Sequence, residues 1–238
     1  MNSTTRSYLI CGTPRSGTFL LAGLLASTGI AGRPEEYFWR EDEPRWRERW
    51  GVTSDADYVA HAIAQGTTPN GVFGAKVMWG YFGDVLAKLR RLRDEPSDLR
   101  LLEAFFPNLR FLWLRREDAV AQAVSWSKAM RTGVWYAEQH GAPAGDPSFD
   151  FDEIAALAAE AETHGDAWRR WFDRHGVEPF AVTYEELEAA KVAVTRRALA
   201  FLGLPGDGVP IEERTARQRD ALNAEWVRRF RETARRRG

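Results

Sequence analysis

Tyr8-Leu9-Ile10-Cys11-Gly12-Thr13-Pro14-Arg15-Ser16-Gly17-Thr18-Phe19-Leu20-Leu21 opens as a short apolar run, breaks at a glycine and resumes as an apolar segment. Leu20, Leu21, Leu24 and Leu25 recur at helical spacing until Gly29 ends the pattern. The stretch reads as strand, loop, helix. Backbone N–H groups and the helix dipole favour an anion at such a place, so Gly12 to Thr18 is a candidate phosphate cradle. A nucleoside-triphosphate loop reads G-x-x-x-x-G-K-[ST]. Here Thr18 stands at the lysine position and Phe19 at the magnesium-ligand position, which argues against a magnesium-dependent kinase. Arg15 instead supplies a bidentate, permanently charged donor, and Ser16 and Thr18 add hydroxyls. An ordinary strand-to-helix turn with a capping serine needs fewer donors than this.

Further along, the alternation repeats. Ser54 can cap a helix over 55–65, and Val72 to Val77 forms a second strand. Phe111 to Leu114 is a third strand, feeding a helix over 117–131. A long alanine-rich helix over 153–175 is closed by Gly176, Phe180 to Val182 is a fourth strand, and Tyr184 opens the next helix. Alternating strands and helices imply an α/β fold with a parallel sheet flanked by helices, whose ligands bind beyond the carboxyl ends of the strands. Gly141 to Pro147 reads as a mobile surface loop able to act as a lid.

Bulk composition bounds the function. The 238 residues, 44% of them apolar, suit a single domain over 1–238 with one sizeable core. Basic and acidic residues number 33 and 34, a net charge of −1, so no global field favours nucleic acid and any anion binding is local. Cys11 is the only cysteine, which excludes an intrachain disulfide and a thiolate-rich zinc site and suits a reducing compartment. The longest apolar run, Phe19 to Ala26, falls far short of the ~18 residues of a membrane span. A cytoplasmic protein without a membrane span is the expectation.

Eight further stretches carry a resemblance beyond the loop Thr13-Pro-Arg-Ser-Gly-Thr18. They are Gly32-Arg-Pro-Glu-Glu-Tyr-Phe38, Gly74-Ala-Lys-Val-Met-Trp79, Arg115-Arg-Glu-Asp with Gln122-Ala-Val-Ser125, Thr132-Gly-Val-Trp135, Val182-Thr-Tyr-Glu-Glu-Leu187, and Gln218-Arg-Asp-Ala-Leu-Asn223 with Glu225-Trp226. In this order and spacing the chain resembles the P-loop sulfotransferases, and more closely the bacterial family that includes trehalose sulfotransferase, over nearly its whole length. The resemblance implies a P-loop nucleoside triphosphate hydrolase-like fold and 3′-phosphoadenosine-5′-phosphosulfate (PAPS) as sulfuryl donor. Arg15, Ser16, Gly17 and Thr18 then hold the 5′-phosphosulfate without a metal. Arg116 and Ser125 hold the 3′-phosphate, although Ser125 lies nine positions after Arg116, not the spacing of the better-known eukaryotic pattern. Gln218 and Arg219 close over the nucleotide. A homodimer is also implied.

On the acceptor side, a hydroxyl of high pKa needs a group to take its proton. The resemblance assigns that role to Glu36, with Glu35 the neighbour most easily confused with it. None of the four histidines falls in a motif. Lys76, in an apolar strand, must reach a polar partner or an anion and is assigned to the transferred group or leaving oxygen; the alternative is an edge-strand lysine facing water. Among the ten tryptophans, Trp39, Trp79 and Trp135 fall beside motifs and suit a sugar ring. With Tyr37, Trp79 and Trp135 are expected to contact a small carbohydrate-like acceptor. Arg33 replaces an acidic residue of the trehalose-sulfating relative, which points away from trehalose and towards an acceptor with its own negative charge. Two competing readings stand beside this one: a phosphoryl transferase on the same scaffold, and a non-catalytic nucleotide-binding protein with a basic C-terminal helix.

Overall fold

The computed structural model describes residues 4–135, 148–213 and 221–237. Four parallel strands form one sheet in the order β2-β1-β3-β4: β1 Arg6–Gly12, β2 Val72–Met78, β3 Leu109–Arg115 and β4 Phe180–Thr183. In the central register Cys11 pairs with Val77 on one side and Trp113 on the other, and Leu114 pairs with Val182. All four strands therefore end on the same edge.

Both faces of the sheet are covered, which is why its strands read as continuous apolar runs. Side chains alternate along each strand. Tyr8, Ile10, Leu112, Leu114 and Val182 pack under α1 (Thr18–Ser27) and α9 (Lys191–Phe201). Leu9, Cys11, Phe73, Val77, Phe111 and Trp113 face α4 (Trp79–Leu92) and α7 (Phe151–His175), whose Phe82, Trp168, Trp171 and Phe172 form an aromatic cluster. A smaller cluster joins α7 to α6 (Ala119–Thr132) and α10 (Ala221–Arg237), with Trp226 and Phe230 buried in it.

The remaining helices are α2 (Glu43–Trp50), α3 (Asp55–Gly66), α5 (Asp98–Phe105) and α8 (Tyr184–Ala189). The sequence reading places α3, α6, α7 and α8 to within a few residues but passes over α2, α4, α5 and α9. Helix α2 is eight residues with a proline in its first turn and only Trp46 buried. Helix α4 follows β2 with no linker, and its N-cap Met78 has no capping side chain. Charge holds α2 in place: Lys88 of α4, largely buried, reaches Glu43 at 2.6 Å and Asp55 at 3.3 Å, and Arg91 adds a 2.6 Å contact to Asp55. The expected lid, Gly141 to Pro147, lies outside the described residues. Among the described residues no helix is long and apolar enough to cross a membrane.

Close packing fixes the identity of Gly74 in β2. A Cβ there would lie 2.6 Å from the ring and hydroxyl of Tyr8, and that ring is fully buried with its hydroxyl donating to the Ala31 carbonyl. Gly74→Ala is expected to destabilise the protein by about 1–3 kcal/mol, seen as a lower urea midpoint at an unchanged m value.

Candidate active site

Side chains from the carboxyl ends of the strands converge on a cavity of about 1260 Å³. The loop after β1 is its floor. Arg15 sits in the left-handed region at φ 63°, a strained conformation for a residue with a Cβ that costs about 1–3 kcal/mol. The turn delivers its guanidinium to α6 and the segment after it, where Nε donates to Ser125 Oγ at 2.9 Å and Nη1 donates to the Trp135 carbonyl. Burial, with the like charge of Arg116 acting in the same direction, lowers the Arg15 pKa to about 10. The group stays cationic at neutral pH.

The loop is gripped from three sides. Gln122 of α6 donates to Thr13 Oγ1 at 2.5 Å and to the Pro14 carbonyl at 2.8 Å, and Trp168 of α7 donates to the Gly12 carbonyl at 2.9 Å. Gly17 has φ 95°, and a Cβ on it would lie 2.6 Å from the Tyr184 ring, so only glycine fits between loop and ring. Arg116 stacks on the other partner of that arrangement: its guanidinium lies 4.6 Å from the Tyr184 ring centroid and donates to the Arg15 carbonyl at 3.3 Å. Gly17 is also the N-cap of α1, and no side chain caps this helix. The capping-serine alternative therefore does not describe the loop. Ser16 is fully buried, with its Oγ lacking a hydrogen-bond partner among the described residues.

Lys76 comes from the neighbouring strand. It alternates with Phe73, Ala75 and Val77 and so points to the α1 face, where its ammonium lies 4.8 Å from the Phe19 ring centroid. Although β2 ends the described sheet, Lys76 is only 3% exposed and does not face water. Its Nζ stands 3.5 Å from Glu36 Oε1. The 35–36 segment is held there by backbone pairing, since the Lys76 amide donates to the Glu35 carbonyl at 2.9 Å.

Of the residues singled out in the sequence, Arg15, Gly17, Thr18, Glu36, Lys76, Arg116, Ser125 and Trp135 all border this one cavity, as do Glu35 and Trp39. Three expected acceptor contacts are placed elsewhere. Arg33 is exposed and turns back to donate to the Gln65 and Thr67 carbonyls. Tyr37 is core, its hydroxyl donating to the Arg33 carbonyl. Trp79 packs edge-on against Trp168 at 5.0 Å. Each is drawn off the wall by a nearer partner, a pair of carbonyls for Arg33 and aromatic packing for the other two. Gln218 and Arg219 lie outside the described residues. Among the described residues no three His, Cys, Asp or Glu side chains group to hold a metal ion.

The sequence reading missed four contributors. Gln122 and Tyr184 position the loop; both stand in stretches that carry the family resemblance, and that is the available signal. Tyr81 and His164 also border the cavity. Tyr81 is buried, with its hydroxyl donating to the Lys76 carbonyl at 3.3 Å. Its pKa is pushed well above the usual phenol value by burial and, secondarily, by the Glu36 carboxylate.

Known proteins agree with this architecture. The family model described as Stf0 sulphotransferase matches residues 7–233. The trehalose 2-sulfotransferase of Mycobacterium tuberculosis (strain ATCC 35801 / TMC 107 / Erdman) is 30% identical over 270 aligned residues, covering 100% of this chain and 99% of the relative. That of Mycolicibacterium smegmatis (strain ATCC 700084 / mc(2)155) is 28% identical with the same coverage. A crystal structure of a sulfotransferase from Alicyclobacillus acidocaldarius superposes with a TM-score of 0.52 at 17% identity, over 99% of this chain and 94% of that one, a likeness of fold. With a match spanning almost its entire length and a parallel sheet of the P-loop-like sulfotransferase fold, the chain belongs to the Stf0 sulphotransferase family and is a sulfotransferase.

Proposed function

We propose that this sulfotransferase moves a sulfuryl group from PAPS to a hydroxyl of a small, carbohydrate-like acceptor, with Glu36 as general base. The observation that carries this reading is the shared cavity. The Arg15 guanidinium and the Glu36 carboxylate border one space, which Lys76 also lines, its ammonium 3.5 Å from Glu36. The donor set suits a bisphosphorylated anion: a left-handed Arg15 turn, an α1 N-terminus with no side-chain cap, and a second guanidinium at Arg116.

PAPS supplies the sulfuryl group, the acceptor oxygen bonding to sulfur as the bond from sulfur to the 5′-phosphate oxygen breaks and 3′,5′-ADP leaves. Arg15 and the α1 dipole stabilise negative charge that grows on the leaving oxygen, in a site where burial strengthens each interaction. Arg116 and Ser125 serve the 3′-phosphate. Glu36 accepts the acceptor proton. Lys76, nearly buried and 3.5 Å from Glu36, stands where it can donate to the transferred group. Trp39 and Trp135 offer the flat faces that a sugar ring packs on. The relatives that act on trehalose support a carbohydrate acceptor. The diversion of Arg33 to backbone carbonyls removes the support for a negatively charged one. A homodimer and a cytoplasmic setting complete the proposal.

Incubation with labelled PAPS and a metabolite extract, followed by mass spectrometry, should reveal a product one sulfuryl unit heavier; its absence, with folded protein and intact donor, overturns the reading. Arg15→Ala is expected to abolish detectable 3′,5′-ADP binding in calorimetry. Glu36→Gln should keep that binding and lower kcat by roughly 10²–10⁴-fold, the usual contribution of a positioned base. Equal loss of nucleotide affinity in both variants would remove the base assignment.

A further inference from the structure

The proposed base stands among more carboxylates than the nearby cations neutralise. Two are paired, Glu36 with the Lys76 ammonium at 3.5 Å and Asp42 with Arg45 at 3.1 Å. Glu35 and Glu41, on the segment between α1 and α2, Asp84 on α4 and Glu160 on α7 border the same cavity. Among the described residues none of these four forms an ion pair with a lysine or arginine. Apart from Arg15 and Arg116, Arg40 is the one further cation on the cavity wall among those residues, so four carboxylates face one guanidinium, an excess of three negative charges. The carboxylates near Arg116 are matched instead: Asp118 meets Arg231 at 2.9 Å, Glu188 and Glu213 meet Lys191 at 3.7 and 2.9 Å, and Glu185 accepts the Glu117 amide at 3.1 Å.

The unmatched groups belong to one wall. Glu35 is open to the cavity yet ringed by protein, and loss of hydration raises its carboxyl pKa, opposed by Lys76 and Arg45 and reinforced by Glu36 and Asp42. Tyr81, one turn before Asp84 on α4, feels the Glu36 and Asp42 carboxylates as well as its own burial. On the α7 side a Cβ on Gly80 would lie 3.5 Å from the His164 Cε1, which brings Glu160 up against α4. His164 does not offset that charge. Burial lowers its pKa against the pull of Glu160 3.9 Å away, and its shielded Nδ1 has no hydrogen-bond partner among the described residues, so the ring is neutral at neutral pH.

An acceptor entering the cavity displaces the water that solvates these carboxylates. Hydroxyls replace the lost hydrogen bonds but bring no charge, whereas an ammonium brings both. The cavity and the family already define where an acceptor binds; the carboxylates add the sign of charge that fits there. Resting on the reading given above, we propose that the acceptor is an amino sugar, its protonated amine received by Glu35 while a neighbouring hydroxyl meets Glu36, with Asp84 adding to the field that draws the cation. A protonated nitrogen has no lone pair to attack sulfur, so the hydroxyl oxygen remains the nucleophile and the product is an O-sulfate.

The test uses the full chain saturated with 3′,5′-ADP and calorimetry on sugars that differ only in a 2-amino group: glucosamine against glucose, and the β-1,4-linked glucosamine dimer against cellobiose. Wild type should bind at least one amino sugar about tenfold more tightly than its neutral counterpart, the effect of one charge-assisted contact. N-acetylation of that sugar should abolish the gain, and added salt should shrink it. Glu35→Gln should remove most of the gain and Asp84→Asn part of it, with neutral-sugar affinity, 3′,5′-ADP affinity and melting temperature unchanged. Equal affinity for amino and neutral sugars, no binding of either amino sugar, a gain that survives N-acetylation, or one that survives Glu35→Gln overturns the proposal. The 3′,5′-ADP affinity in the same titrations separates the two readings: nucleotide binding without a preference for the amine removes this inference alone, and loss of nucleotide binding in the wild type removes the donor reading beneath it.

Discussion

A cationic side chain held below the surface in a left-handed turn is the constraint on which the rest of this structure hangs. Arg15 cannot adopt φ 63° without cost, and its guanidinium cannot lie buried beside Arg116 without partners. Both penalties are met by neighbours from distant parts of the chain: Ser125 Oγ, the Trp135 carbonyl and, beneath the loop, Gln122 and Trp168. Strain of this kind persists only where surroundings over-determine it. Helices α6 and α7 therefore serve as clamps for the loop as much as cover for the sheet.

The parallel sheet turns that local constraint into a site. Because every strand runs in the same direction, the segments following β1, β3 and β4 deliver Arg15, Arg116 and Tyr184 to one edge, and Lys76 lies near the end of β2. Lys76 illustrates the economy of strand alternation. Its neighbours Ala75 and Val77 point into the aromatic core, and the lysine turns to the α1 face, where Phe19 and Glu36 receive it. A one-residue slip in β2 would bury the ammonium among Phe82 and Trp168 instead. The cavity holds both signs of charge: Arg15 and Arg116 at the loop after β1, Glu35 and Glu36 between α1 and α2, Asp42 and Arg45 at α2 and Asp84 on α4.

Legibility in the sequence followed how local each feature was. Strand β1, the loop and α1 were readable because period, glycine and donor residues lie within about twenty positions. Ser54 as the cap of α3 was likewise readable, since its partner Asp57 is three residues away. Helix α2 was not: its Glu43 is held by Lys88 on α4, which no local pattern announces. Arg33, Tyr37 and Trp79 show the converse. Each sits in or beside a motif, yet each side chain found a nearer partner, carbonyls for Arg33 and aromatic packing for Tyr37 and Trp79. His164 carries no motif at all and reached the cavity only because α7 crosses α4 at Gly80.

By itself the sequence determined the fold class, the position of the loop between β1 and α1, the absence of a kinase lysine from it, and the family. These follow from short-range periodicity and from residue types at fixed offsets, which the chain carries wherever it goes. Tertiary structure alone decided which side chains share the cavity and which are spent elsewhere. Long-range packing sets those positions: the exposure of Lys76, the partners of Arg15 and the isolation of the His164 ring all depend on helices that approach from far along the chain.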